Sequence, residues 1–156
     1  SIGDIPQDLC ELFDYQVSNV AGKSVIYSAE YRMKYAKFSL YADFFAGLLQ
    51  SKGVESGDVV AVLVKDKLSF LIVMMSILKL GATYCPLDPS TPDERLDFIL
   101  SDACPRVMVV DFKAERSFSD VFVLHFDLSS IFKIKKDGVK KIRKTQSSRG
   151  YSLCCH

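Results

Sequence analysis

The side chains able to do chemistry are few in this 156-residue chain, and their spacing limits what they could do. A Ser/His/Asp or Cys/His nucleophile needs a histidine base, and only His125 and His156 exist. His125 alternates with apolar residues in an expected strand, and His156 ends the chain. Asp93, Glu94 and Asp97 could pair as acid and base. They stand in the first turns of an expected helix, however, where negative charge complements the helix dipole. Cys10, Cys85, Cys104, Cys154 and Cys155 contain no CxxC spacing, and the closing Cys154-Cys155-His156 lacks the separation a tetrahedral zinc site uses. No metal is expected there.

Phosphate chemistry calls for a glycine-rich turn whose amides point at the anion. The eight glycines make neither GxGxxG nor GxxxxGK[ST]. Charge is unevenly spread: Ser1 to Phe132 carries twelve Lys/Arg against eighteen Asp/Glu, whereas Lys133 onward carries eight against one. The basic tail could attract an anionic partner such as nucleic acid or an acidic membrane in a salt-sensitive way. Its single aromatic, Tyr151, lies outside the charge cluster and gives no stacking platform. Neither nucleic acid nor membrane is therefore expected as a partner.

These side chains must be positioned by a scaffold, and the hydrophobic patterning describes one. At 49% hydrophobic and 25% charged, the composition is that of one soluble domain. An odd cysteine count without a secretory leader predicts reduced thiols and a cytoplasmic setting, with Cys85 and Cys104 as small core residues. The richest apolar run, Leu68 to Leu78, is far shorter than the roughly 20 residues a bilayer requires.

Leu9, Leu12, Phe13, Gln16 and Val17 share one face of a predicted helix that Gly22 could stop. Lys23 to Tyr35 reads as two short strands with a turn near Ser28 to Glu30. Phe38, Tyr41, Ala42, Phe45, Leu48 and Leu49 then fall at helical spacing, closed by Gly53. Val59 to Lys65 is a β-branched run suited to a strand covered on both faces. Ser69 to Leu80 reads as an apolar helix ending at Gly81, and Thr83 to Asp88 as the next strand. Thr91 and Glu94 have capping-box spacing, with Pro92 at the first helical position. Leu96, Ile99, Leu100 and Ala103 make the inner face of that helix. Arg106 to Phe112 is a third strand, and Val121 to Asp127 a fourth. Strand, helix, strand, helix, strand in this order predicts an α/β fold: a parallel sheet with right-handed crossover helices over residues 4–127. Residues 133–156 are expected to be a basic, disordered tail, since they offer little apolar surface to offset ordering entropy.

The stretch from Leu78 to Leu100, LKLGATYCPLDPSTPDERLDFIL, carries a more specific signal. It resembles the second core motif of amino-acid-adenylating (AMP-binding) domains of non-ribosomal peptide synthetases, in the adenylate-forming superfamily. Leu78, Lys79, Gly81, Tyr84, Pro86, Leu87, Asp88, Pro89, Pro92 and Arg95 match that pattern, while Leu80 and Thr91 replace its usual Ala and Tyr. Upstream, LCELFDYQV is similar to the opening of such domains. MKYAKF stands where their first core motif, Leu-Thr-Tyr-x-Glu-Leu, belongs; Tyr35 is kept, and Lys34 and Lys37 replace Thr and Glu. The resemblance covers Leu9 to about Val110.

The resemblance implies a partial adenylate-forming N-terminal subdomain. In the parent enzyme, ATP with Mg²⁺ and an amino or other carboxylic acid would form an acyl-adenylate. The acyl group would then pass to phosphopantetheine on a carrier domain. The phosphate loop, adenine pocket and C-terminal lysine of the family are expected downstream, so the fragment alone is expected to be inactive. No residue here is assigned a catalytic, cofactor-binding or metal-binding role, and no bound cofactor is expected. Three alternatives remain: an acyl-CoA synthetase of the same superfamily, a binding module that uses its basic tail, and a chain without function of its own arising from a missed splice junction or frameshift.

Overall fold

A computed structural model describes residues 16–20, 23–27, 31–113, 116–118 and 120–142. Among these residues seven strands, β1 to β7, span Gln16–Val20, Lys23–Tyr27, Arg32–Lys34, Val59–Leu63, Thr83–Pro86, Val107–Val110 and Phe122–His125. Among them too are four helices, α1 to α4, over Tyr35–Ser51, Lys67–Lys79, Asp93–Ala103 and Leu128–Ile131. Strands β1 to β3 form an antiparallel sheet, and β5-β4-β6-β7 a parallel one.

The parallel sheet follows from the β-branched run. Val60 and Val62 face one side and Ala61 and Leu63 the other, and all four are buried, so both faces need a covering layer. Strand β5 lies on one side of β4 and β6 on the other, which sends the two crossovers over opposite faces. Helices α1 and α2 pack with Val60, Val62, Val107 and Val109. Helix α3 brings Leu96, Ile99, Leu100 and Ala103 against Ala61, Leu63, Met108 and Val110. The expected α/β architecture is present, with β6 and β7 as its third and fourth parallel strands.

Two helices stop by the same device. Gly53 and Gly81 adopt φ of +88° and +69°, a region costly for residues with a Cβ. The next residue's amide then reaches back to an orphan carbonyl: Val54 to Leu49 at 3.1 Å, and Ala82 to Ile77 at 3.2 Å.

The structure departs from the sequence expectations in several places. Gln16 and Val17 are not helical; they open β1, whose backbone groups pair with β2 from Gln16 opposite Tyr27 to Val20 opposite Lys23. A hairpin partner for the β-branched Val17 and Val20 outweighs helical spacing here. Leu9, Leu12 and Phe13 lie outside the described residues. The Thr91 capping box does not form. The first α3 hydrogen bond runs from the Leu96 amide to the Pro92 carbonyl at 2.9 Å, which makes Pro92 the N-cap and starts the helix one residue later.

Reduced cysteines were expected throughout; Cys104 is free and exposed, but Cys85, though wholly buried, is disulfide-bonded. Residues 133–142, the first part of the basic segment, are placed. Ile134 and Ile142 pack on the core, and the Ile142 amide donates to Asp43 Oδ1 at 3.1 Å. The described chain therefore extends past Asp127, and the remainder of the basic segment lies outside the described residues.

Candidate functional site

Open parallel sheets bind ligands beyond the carboxyl ends of their strands, in the crevice where strand order reverses. In this sheet the reversal lies between β4 and β6. Beyond β4 the chain continues as Val64, Lys65 and Asp66; beyond β6 comes Asp111. The Asp111 carboxylate closes the crevice from within, with Oδ1 accepting from the Lys65 amide and Oδ2 from the Asp66 amide, each at 2.9 Å. Asp66 caps α2, accepting from the Ser69 amide and hydroxyl at 2.8 Å. The Lys65 ammonium sits 4.0 Å from the centroid of the Phe112 ring.

The other two strand ends are alike. After β5, Asp88 Oδ1 accepts from the Ser90 amide at 2.9 Å and the Ser90 hydroxyl at 2.8 Å, while its carbonyl accepts from the Thr91 amide at 2.9 Å. The Ser90 amide, and after it the Ser90 hydroxyl, hold the Asp88 carboxyl below the usual aspartate range. After β7, Asp127 accepts from Ser129 and Ser130, whose hydroxyls lower its carboxyl in the same way. A row of four aspartates thus fastens the loops that leave the sheet.

This edge does not fit the phosphates of ATP. The two amides a phosphate would use at the crevice already serve Asp111, and the row of carboxylates would repel it. Among the described residues no group of three or more His, Cys, Asp or Glu could hold a metal ion. The Cys154-Cys155-His156 end lies outside them.

The motif residues are brought together as scaffold. Leu78, Tyr84 and Leu87 are buried, and the Leu87 amide extends the β5–β4 ladder to Val62 O at 2.9 Å. Asp88, Pro89 and Pro92 line the exposed turn into α3, and the Arg95 guanidinium lies 5.6 Å from the Phe98 ring. Asp93 and Glu94 occupy the first turn of α3. His125 is exposed at the end of β7.

Sequence reasoning missed Asp43 and Lys79 as a pair. They meet between α1 and α2, Nζ to Oδ1 at 2.6 Å, with Ser39 Oγ accepting a second Lys79 bond at 3.1 Å. A charged residue on an otherwise apolar helix face, present in both helices, was the available signal.

Comparison with known proteins places this scaffold. The model of the family described as AMP-binding enzyme matches residues 13–150. Malpinin synthetase of Mortierella alpina is 32% identical over 117 residues, or 75% of this chain and 2% of that protein. Bacitracin synthase 1 of Bacillus licheniformis is 30% identical over 140 residues, 88% of this chain and 3% of that protein. The chain thus spans only a few hundredths of the length of these relatives.

Among solved structures, a fused adenylation-PCP di-domain, NpsA-ThdA from Klebsiella oxytoca, superposes with TM-score 0.62 at 19% identity. It covers 98% of this chain and 26% of that one. A fatty acyl CoA synthetase of Mycobacterium tuberculosis gives TM-score 0.61 at 20% identity over 78% and 26%. At these identities the structural likenesses speak for the fold.

Proposed function

Since the chain belongs to the AMP-binding enzyme family, we propose that it is the N-terminal scaffold of an ATP-dependent amino-acid-adenylating ligase. One observation carries the choice of branch. The stretch from Leu78 to Arg95, which matches the amino-acid-adenylating pattern in sequence, forms the buried end of α2, the inner strand residues of β5 and the proline turn into α3. The same residues that carry the resemblance thus carry the sheet. A relative from Aspergillus niger whose name marks it as a PKS-NRPS hybrid synthetase supports the same branch.

In the parent enzyme, ATP and an amino acid would yield an aminoacyl-adenylate and pyrophosphate, and the acyl group would pass to the phosphopantetheine thiol of a carrier domain. Mg²⁺ and cationic groups would stabilise the charge developing on the pyrophosphate. By the resemblance those groups lie in segments of the family other than the one matched here, so the chain alone is inactive in our reading. No helix among the described residues is long and apolar enough to cross a membrane.

The test is amino-acid-dependent ATP–pyrophosphate exchange, measured on the 156-residue chain and on the same chain joined to the downstream residues of its parent gene. Exchange only by the extended protein, and with amino acids, is expected. Exchange by the isolated chain would overturn its inactivity. Exchange by the extended protein with fatty acids alone would move it to the acyl-CoA branch, which the likeness to the Mycobacterium tuberculosis fold also accommodates.

A further inference from the structure

Helix α2 buries one cation, Lys79, and α1 buries one acid, Asp43. The plainest account of Lys79 is its place in the last turn of α2, where positive charge complements the helix dipole. An exposed ammonium would do that as well. A buried ion pair, moreover, is often no more stable than an apolar pair of similar volume, so these two charges call for a further task.

Asp43 shows what that task is. Its Oδ1 accepts from Lys79 Nζ at 2.6 Å and from the Ile142 amide at 3.1 Å, while Lys79 also donates to Ser39 Oγ at 3.1 Å. Three segments thus meet at one oxygen: the end of α2, the middle of α1 and the chain that follows α4. Ile134 and Ile142 rest on the core, but apolar contact is non-directional and tolerates sliding. The bond from Ile142 is directional and admits one register. Among the described residues it is the one hydrogen bond that ties 135–142 to another element, since the Val139 amide donates within the stretch, to the Lys136 carbonyl at 3.3 Å. An apolar pair in place of Asp43 and Lys79 could fill the space but could not accept from that amide.

We propose that Asp43 and Lys79 are positioning residues of the ligase: they set the register in which residues 135–142 return to α1, and so the point from which the chain runs on toward the parts that handle ATP. The identity of those parts rests on the adenylation reading above; the register rests on the geometry alone. Both residues act through the segment they hold and not on the substrate. A displacement of about 1 Å in such a segment lowers a rate by about a hundredfold where it carries an aligned group out of place. Lys79 belongs to the stretch that matches the family pattern, and this gives its ammonium a task that scaffold packing alone does not require.

The test separates holding from stability with two variants, each made in the 156-residue chain and in the chain joined to the downstream residues of its parent gene. Asp43→Asn keeps an oxygen for both donors and loses the charge. It is expected to melt lower than the unaltered chain while the Ile142 amide exchanges its hydrogen at nearly the unaltered rate. Asp43→Leu/Lys79→Met restores burial and removes the acceptor. It is expected to melt close to the unaltered chain, yet to exchange the Ile142 amide about tenfold faster. In the extended protein, kcat/KM for ATP in ATP–pyrophosphate exchange should fall about tenfold in the double variant and stay within about threefold in Asp43→Asn, assayed below its melting temperature. Activity then follows the acceptor and not the melting temperature, which a merely supporting role would not produce. Unaltered Ile142 exchange or unaltered activity in the double variant would overturn the proposal, as would loss of activity in folded Asp43→Asn. An extended unaltered chain that catalyses no exchange would overturn the adenylation reading and the catalytic half of the proposal with it, and the Ile142 amide in the shorter chain decides the structural half by itself.

Discussion

Lys79 Nζ and Asp43 Oδ1 lie 2.6 Å apart where α2 packs on α1, and each side chain is only 8% exposed. Burying two charges is offset by their attraction when the remaining donors also find partners, as Lys79 does at Ser39 and Asp43 at the Ile142 amide. Removing one partner leaves the other charge buried alone. Asp43→Ala and Lys79→Ala are each expected to lower unfolding stability by about 3–5 kcal/mol. The double variant Asp43→Leu/Lys79→Met should recover most of that loss, and urea denaturation of the four proteins measures the coupling.

Asp111 performs a comparable task on the backbone. Its two oxygens hold the amides that follow β4, across the point where the strand order reverses. Charge-assisted bonds to amides contribute about 1.5–3 kcal/mol each in favourable cases, and partial exposure reduces that figure here. Asp111→Ala is expected to cost about 2 kcal/mol by chemical denaturation. It should also speed hydrogen exchange at Lys65 and Asp66 while leaving β5 protected. Asp111→Asn, which keeps one acceptor, should lose about half as much.

The parallel sheet was legible because its signals are dense and local. Val59 to Leu63 is β-branched and buried on both faces, Gly53 and Gly81 stand where the chain must take a positive φ, and Phe38, Tyr41, Ala42, Phe45 and Leu49 repeat at helical spacing. What was not legible depends on partners distant in sequence. Gln16 to Val20 is a strand because Lys23 to Tyr27 lies beside it, and Asp43 matters because Lys79 and Ile142 reach it from 36 and 99 residues away.

Asp88 and Asp127 should shape the acid limb of stability. Each has a folded-state pKa below its unfolded value, so each contributes stability that is complete above the unfolded value, near 4, and lost as pH falls through the lower folded value. Carboxyl ¹³C titration is expected to find both midpoints under the ordinary aspartate value. The causes differ in rank. The Asp88 shift comes first from the Ser90 amide, so Ser90→Ala should restore only part of it. The Asp127 shift comes first from the Ser129 hydroxyl and then from that of Ser130, so Ser129→Ala/Ser130→Ala should restore most of it.

Phe45 of α1 and Phe126 just after β7 meet edge to face, with centroids 5.0 Å apart and planes at 78°. Strand β7 is an edge of the described sheet: Phe122 and Val123 are exposed, and its ladder to β6, Leu124 on the core, Lys52 over the Phe122 ring and this ring contact hold it. Phe126 is buried, and Phe126→Ala should remove about 3–5 kcal/mol, with about 1 kcal/mol of it belonging to the pair with Phe45 in a double-mutant cycle. The loss should also be local before it is global. Tyr41 touches Phe132, and Ile131, Ile134 and Ile142 join the same cluster, so freeing Phe126 loosens both β7 and the segment that follows. Hydrogen exchange in Phe126→Ala is therefore expected to accelerate at residues 122–142 at denaturant concentrations where β4, β5 and α2 still exchange as in the unaltered chain. Uniform acceleration across all strands would show instead that the edge and the sheet open together.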